Sequence, residues 1–184
     1  MNVPFTDLWL PILLAGITVF MVSSLIWTVV QYHNRDWQPL ADEDGAREAL
    51  QGTPPGQYAV PYAADNRAKA AEAWQQKFKG GPVAMITVVP HGNVNMAGQL
   101  IQWLIYCLVI SIFVAYVAGS TLSAGSDYIK VFQVTSTVGF LAYGGMTGIR
   151  KIWFGQPTGA AARDLLDALI YGLLGAGIFG WLWP

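Results

Sequence analysis

LWLPILLAGITVFMVSSLIWTVV, residues 8–30, contains no charged side chain. A helix rises about 1.5 Å per residue and needs roughly 20 apolar residues to cross a hydrocarbon layer, so this stretch is long enough to span one. Asp7 precedes it, and Gln31, Tyr32 and His33 follow it, marking its ends. It is too long for the apolar core of a signal peptide, acquires positive charge too late and lacks a small-residue cleavage site. It is therefore expected to be retained, as a first transmembrane helix within residues 1–30.

Three further stretches follow the same logic. Residues 96–119 begin after Asn95, a suitable N-cap, and end in Gly119 and Ser120. Residues 128–149 are closed by Arg150 and Lys151, where cations complement the helix dipole. This span is the least apolar, with Gln133, Thr135, Ser136 and Thr137 inside it. Residues 164–183 form the last. The expected fold class is thus an all-α membrane protein, a four-helix transmembrane bundle with a small cytoplasmic segment, residues 31–95, between its first and second helices. Composition agrees: 54% of residues are hydrophobic and only 11% charged, which is too apolar for a soluble chain of 184 residues. Six tryptophans, at 9, 27, 103, 153, 181 and 183, stand near span ends, where amphipathic rings settle.

Four crossings put residues 31–95 and 150–163 on one face and both termini on the other. The first face carries Arg35, Arg47, Arg67, Lys69, Lys77, Lys79, Arg150, Lys151 and Arg163, and the second only Lys130. Cytoplasmic loops are the ones enriched in Lys and Arg, so residues 31–95 are expected in the cytoplasm and both termini in the periplasm. A formal net charge of -1 gives no global field toward nucleic acid. Cys107 is the single cysteine and has no disulfide partner; with two widely separated histidines it makes no recognisable metal site, and no cofactor is expected.

Within 31–95, prolines and mixed charges replace the apolar runs. Asp42, Glu43 and Asp44 open a short helix that Gly52, Pro54 and Pro55 stop. Asp65 caps a helix predicted over 66–79, which sets Trp74 and Phe78 on one face. Residues 83–89, rich in β-branched side chains, read as a strand that needs a partner such as 58–62. His91 sits in a Pro-His-Gly turn with no carboxylate or nucleophile at a meaningful spacing, and receives no role.

Polar side chains inside a bilayer are costly and often mark function. Gln99, Gln102 and Tyr106 form a stripe on the second span, and Asp167 and Tyr171 continue a stripe from Arg163 on the fourth. Together these five, Gln99, Gln102, Tyr106, Asp167 and Tyr171, are the candidate lining of a polar cytoplasmic vestibule, with Ser23 and Ser24 at a similar height. Arg163 and Asp167, four residues apart, are expected to pair. Lys130, Gln133 and Thr137 align as a second polar face. Small residues form the candidate packing surfaces: Ala168, Gly172, Ala176 and Gly180 on the fourth helix, and Gly144 and Gly148 on the third.

The stretches LWLPILL, GGPVAMITVVP, FLAYGG and DALIYGLLGAGIFGWLWP together resemble a group of short bacterial four-helix membrane proteins of unknown function. The resemblance covers nearly the whole chain. It implies the four-helix plan and a bacterial inner membrane, and brings no activity or site residues. Abundant packing surface and scant chemistry lead to the expectation of a non-enzymatic accessory or scaffold subunit acting through helix association. Its partners would be the lipid bilayer and other membrane subunits or further copies of itself. The alternative is a small transporter or channel using the vestibule, and a third reading is a membrane enzyme using His91 or Asp167.

Overall fold

A computed structural model of the chain describes residues 2–92 and 95–184. Positions 1, 93 and 94, which fall in the expected 1–30 and 31–95 segments, lie outside the described residues. The chain divides into two compact units, Met1–Gln38 with Asn95–Pro184, and Pro39–Val94.

The first unit is a bundle of four long helices. The helix α1 (Phe5–Leu25) continues into a π-helical turn at Ile26–Val30 and a 3-10 turn at Tyr32–Asp36. The sequence placed residues 31–38 in the separate segment, but they belong to the bundle, because His33 is buried in it. The junction between the two turns is Gln31, held in the left-handed region at φ 55 without being a glycine. Such a conformation costs about 1 kcal/mol or more and persists only where its surroundings hold it.

The second unit begins with α2 (Glu43–Ala49), whose cap is Asp42 accepting from the Gly45 nitrogen at 2.9 Å. It contains an antiparallel pair, β1 (Gly56–Val60) and β2 (Ala84–Val88), in which Tyr58 faces Ile86. The predicted helix over 66–79 is two helices, α3 (Asn66–Ala70) and α4 (Glu72–Gly80), broken where Ala71 turns extended. No breaker residue announces this break. After it the Trp74 indole donates to the Pro61 carbonyl at 3.3 Å while stacking on Phe78.

Back in the bundle, α5 (Met96–Thr121), α6 (Tyr128–Phe154) and α7 (Thr158–Trp181) alternate in direction. Asn95 caps α5 as its sequence suggested, accepting from the Ala97 nitrogen. The helix α6 runs past its expected end to Phe154, whereas α7 starts earlier than expected, at Thr158, and ends at Trp181, short of 183. Among the described residues, three helices are long and apolar enough to cross a membrane: Phe5–Val30, Met96–Thr121 and Thr158–Trp181. The fourth, α6, is equally long but carries Lys130, Gln133, Arg150 and Lys151.

Closest packing is between α6 and α7, and glycine makes it close. A Cβ built on Gly172 would lie 2.9 Å from the Phe140 nitrogen and 3.1 Å from the Ser136 carbonyl oxygen, and one on Gly139 would lie 3.1 Å from the Gly172 Cα. Gly144 meets Ala168, Ala176 is buried, and Gly180 receives the ring of Tyr128. Gly148 departs from expectation. It is exposed and its Cβ would meet nothing within 4 Å, because Thr147 takes the inward position one residue earlier. A Gly172→Ala change must push two backbones apart and should destabilise the bundle by about 1–3 kcal/mol, whereas Gly148→Ala should stay within about 0.5 kcal/mol of wild type. Thermal unfolding of the two variants in detergent checks the contrast.

Candidate functional site

Burying a carboxylate among apolar helices is costly unless it is paired and hydrogen-bonded. Asp167, one face of α7, is only 7% exposed. It accepts from the Tyr32 hydroxyl on Oδ1, and on Oδ2 from the Tyr171 hydroxyl at 3.0 Å and from His33 Nε2 at 3.1 Å. The other ring nitrogen of His33, Nδ1, meets Asp36 Oδ2 at 2.6 Å. Asp36 in turn accepts from Arg163 Nε at 2.6 Å. The result is a chain of alternating sign, Arg163, Asp36, His33, Asp167. Each ring nitrogen of His33 thus meets a carboxylate oxygen.

Local folding supplies this arrangement. The π turn ends α1 with the Gln31 nitrogen bonded to the Ile26 carbonyl at 2.7 Å, and the 3-10 turn then carries Tyr32, His33 and Asp36 back onto α7. The Trp27 indole covers the imidazole at 4.3 Å with an interplanar angle of 2°. Burial pushes the Asp36 carboxyl up, but hydrogen bonds from Arg163 and His33 outweigh it, so it lies below the ordinary carboxylate range. Burial and the adjacent Asp167 push the Tyr32 phenol up.

The expected Arg163–Asp167 pair does not form. Arg163 reaches Asp36, 127 residues away in the chain, while Asp167 turns inward to His33. Periodicity along one helix cannot show an acid that folds back from another element. His33, read from the sequence only as the end of a span, is 2% exposed and central. The signal that could have found it is the spacing of His33 and Asp36, three residues apart just beyond an apolar run.

All five residues expected in a vestibule line one cleft of about 620 Å³: Gln99, Gln102 and Tyr106 from α5, and Asp167 and Tyr171 from α7. Sequence reasoning missed the α6 wall, where Tyr143, Met146, Thr147 and Arg150 stand, and also Trp27 and Trp103. Ser23 accepts from the Trp103 indole at 2.7 Å. The cleft runs about 12 Å along α6, from Arg150 to Ala142. Its floor is an edge-to-face pair of Tyr143 and Tyr171, centroids 5.4 Å apart. Behind them lie a void of about 20 Å³ and the apolar cluster around Leu8, Val114, Val131 and Phe179, and a separate groove lined by Thr18, Tyr128, Phe132 and Trp181 lies near the end bearing the chain termini. The Tyr143 hydroxyl is buried with no hydrogen-bond partner.

The second polar face is elsewhere: Lys130, Gln133 and Thr137 are exposed on the outside of α6. His91 is exposed and belongs to the other unit. No group of His, Cys, Asp and Glu that could hold a metal ion is found among the described residues. No protein-family model, curated protein or solved structure matches the chain.

A double-mutant cycle in detergent should give a coupling of about 0.5–3 kcal/mol between Arg163 and Asp36, and less than about 0.5 kcal/mol between Arg163 and Asp167. The depressed Asp36 carboxyl contributes stability that is fully present above its ordinary value, about pH 4, and is lost as pH falls through the lower folded value. Melting temperature should therefore fall more steeply on acidification below about pH 4 in wild type than in Asp36→Asn.

Proposed function

We propose that this chain is a four-span inner-membrane protein that takes a small solute into a cleft open to the cytoplasm, in the manner of a small transporter. The single observation that supports it most is the cleft itself, polar at its mouth, aromatic within and closed toward the far end of the bundle. One-sided opening is what a carrier has in one of its states. In this reading α6 crosses with the three more apolar helices, its Lys130, Arg150 and Lys151 lying near the ends. The excess of Lys and Arg in 31–95 and 150–163 supports a cytoplasmic position for both. The cleft offers binding groups and no assembled nucleophile, so the proposed role is non-enzymatic.

The accessory-subunit reading also keeps support, from a different observation. Gln133 and Thr137 face outward from α6, and a helix in lipid rarely leaves polar side chains toward the tails. A second copy or another membrane subunit seated there would cover them. Mass measurement in mild detergent should then find a dimer or a co-purifying protein, and Gln133→Leu should weaken the association. A strictly monomeric particle would remove this reading.

The cleft reading has its own test. Cys107 is buried, so wild-type protein provides a blank for thiol labelling. Gln102→Cys should react with a membrane-impermeant maleimide in inside-out vesicles and be protected in right-side-out vesicles. Ala124→Cys, in the turn at the other end of the bundle, should do the reverse. Equal labelling of both from one side would contradict the proposed crossing pattern, and an unreactive Gln102→Cys would contradict an open cleft.

A further inference from the structure

We propose, building on the cleft reading, that the solute is an organic cation, a quaternary or protonated amine or a lipophilic onium ion. Three charged side chains line the cleft, the carboxylates of Asp164 and Asp167 and the guanidinium of Arg150. The wall itself thus presents two acids and one base, while the His33 ring that partners Asp167 is not part of it. Arg150 is the most exposed of the three and stands 4.0 Å from Asp164 at the mouth, so it neutralises the entrance and not the interior.

Deeper in, the alternating chain gives this charge its direction. Its positive end, Arg163, and its ring, His33, stand behind the wall, whereas its negative end, Asp167, is part of the wall. Three donors occupy Asp167, and an ionised carboxylate offers about four acceptor positions, so one remains for a ligand.

Rings supply the rest. Trp27, Trp103, Tyr106, Tyr143 and Tyr171 all border the cleft, with Trp103 and Tyr106 stacked at 5.5 Å. Aromatic faces carry negative quadrupole potential and attract cations most strongly when water is excluded, which is how quaternary ammonium groups are recognised. An anion would meet the same faces and the Asp167 carboxylate repulsively. A neutral solute would leave the orientation of the ionic chain without use.

Tetraphenylphosphonium and tetraphenylborate, ions of the same shape and opposite sign, separate these cases. With the full-length protein in detergent, titration should quench tryptophan fluorescence saturably with the phosphonium and at least about tenfold more weakly with the borate. Tyr106→Leu keeps an apolar side chain and stands clear of the ionic chain, and should weaken phosphonium binding about 2- to 30-fold. Asp164→Asn should weaken it as well. Equal binding of the two ions, a preference for the borate, or a Tyr106→Leu protein that binds like wild type would overturn the proposal. Reactive Gln102→Cys together with equal binding of the two ions would reject the cation class and leave the open cleft standing. An unreactive Gln102→Cys would reject the cleft itself.

Discussion

A carboxyl group set among apolar helices has to be hydrogen-bonded where it stands, and Asp167 is the group on which this constraint falls. Nothing on α7 itself meets it except the Tyr171 hydroxyl one turn away. The remaining donors come from residues 32 and 33, which must be folded back from the end of α1 to supply them. That requirement accounts for the widened π turn, the left-handed Gln31 and the 3-10 turn that follows. Breaking one link of such a chain leaves a buried charge unpaired, at a cost of about 3–5 kcal/mol, so the geometry is held far more firmly than its place at a helix end would suggest.

The same fold-back divides the bundle into two parts of different character. At the end bearing the chain termini, the Asn2 and Val3 nitrogens bond the Gly119 carbonyl, and Phe179 fills the centre. Midway along the bundle, glycine lets α6 and α7 approach backbone to backbone. At the other end the cleft is bordered by α5, α6 and α7 and walled by rings and by Asp167.

Hydropathy made the four long helices legible, since periods of apolar residues are dictated by a large area effect that local detail does not disturb. Capping by Asn95 and Asp65 was legible too, because one side chain and one nearby nitrogen decide it. The five cleft residues could be grouped because they lie at one height on two helices. The partner of Arg163 could not be found, since a helix wheel sees only its own helix, and the local pair with Asp167 seemed sufficient. The choice of Gly148 over Gly139 failed for a related reason: four-residue spacing marks a stripe, but only the facing helix decides where contact along it ends. The break at Ala71 has no residue-level signal at all.

The central claim is that His33 bridges Asp36 and Asp167. Solid-state NMR of the membrane-reconstituted protein, with nitrogen-to-carboxyl transfer from the His33 ring, measures this directly. Cross-peaks from one ring nitrogen to the Asp36 carboxyl carbon and from the other to that of Asp167 are expected. Contact of the Asp167 carboxyl with the Arg163 guanidinium, and none with the His33 ring, would contradict the account.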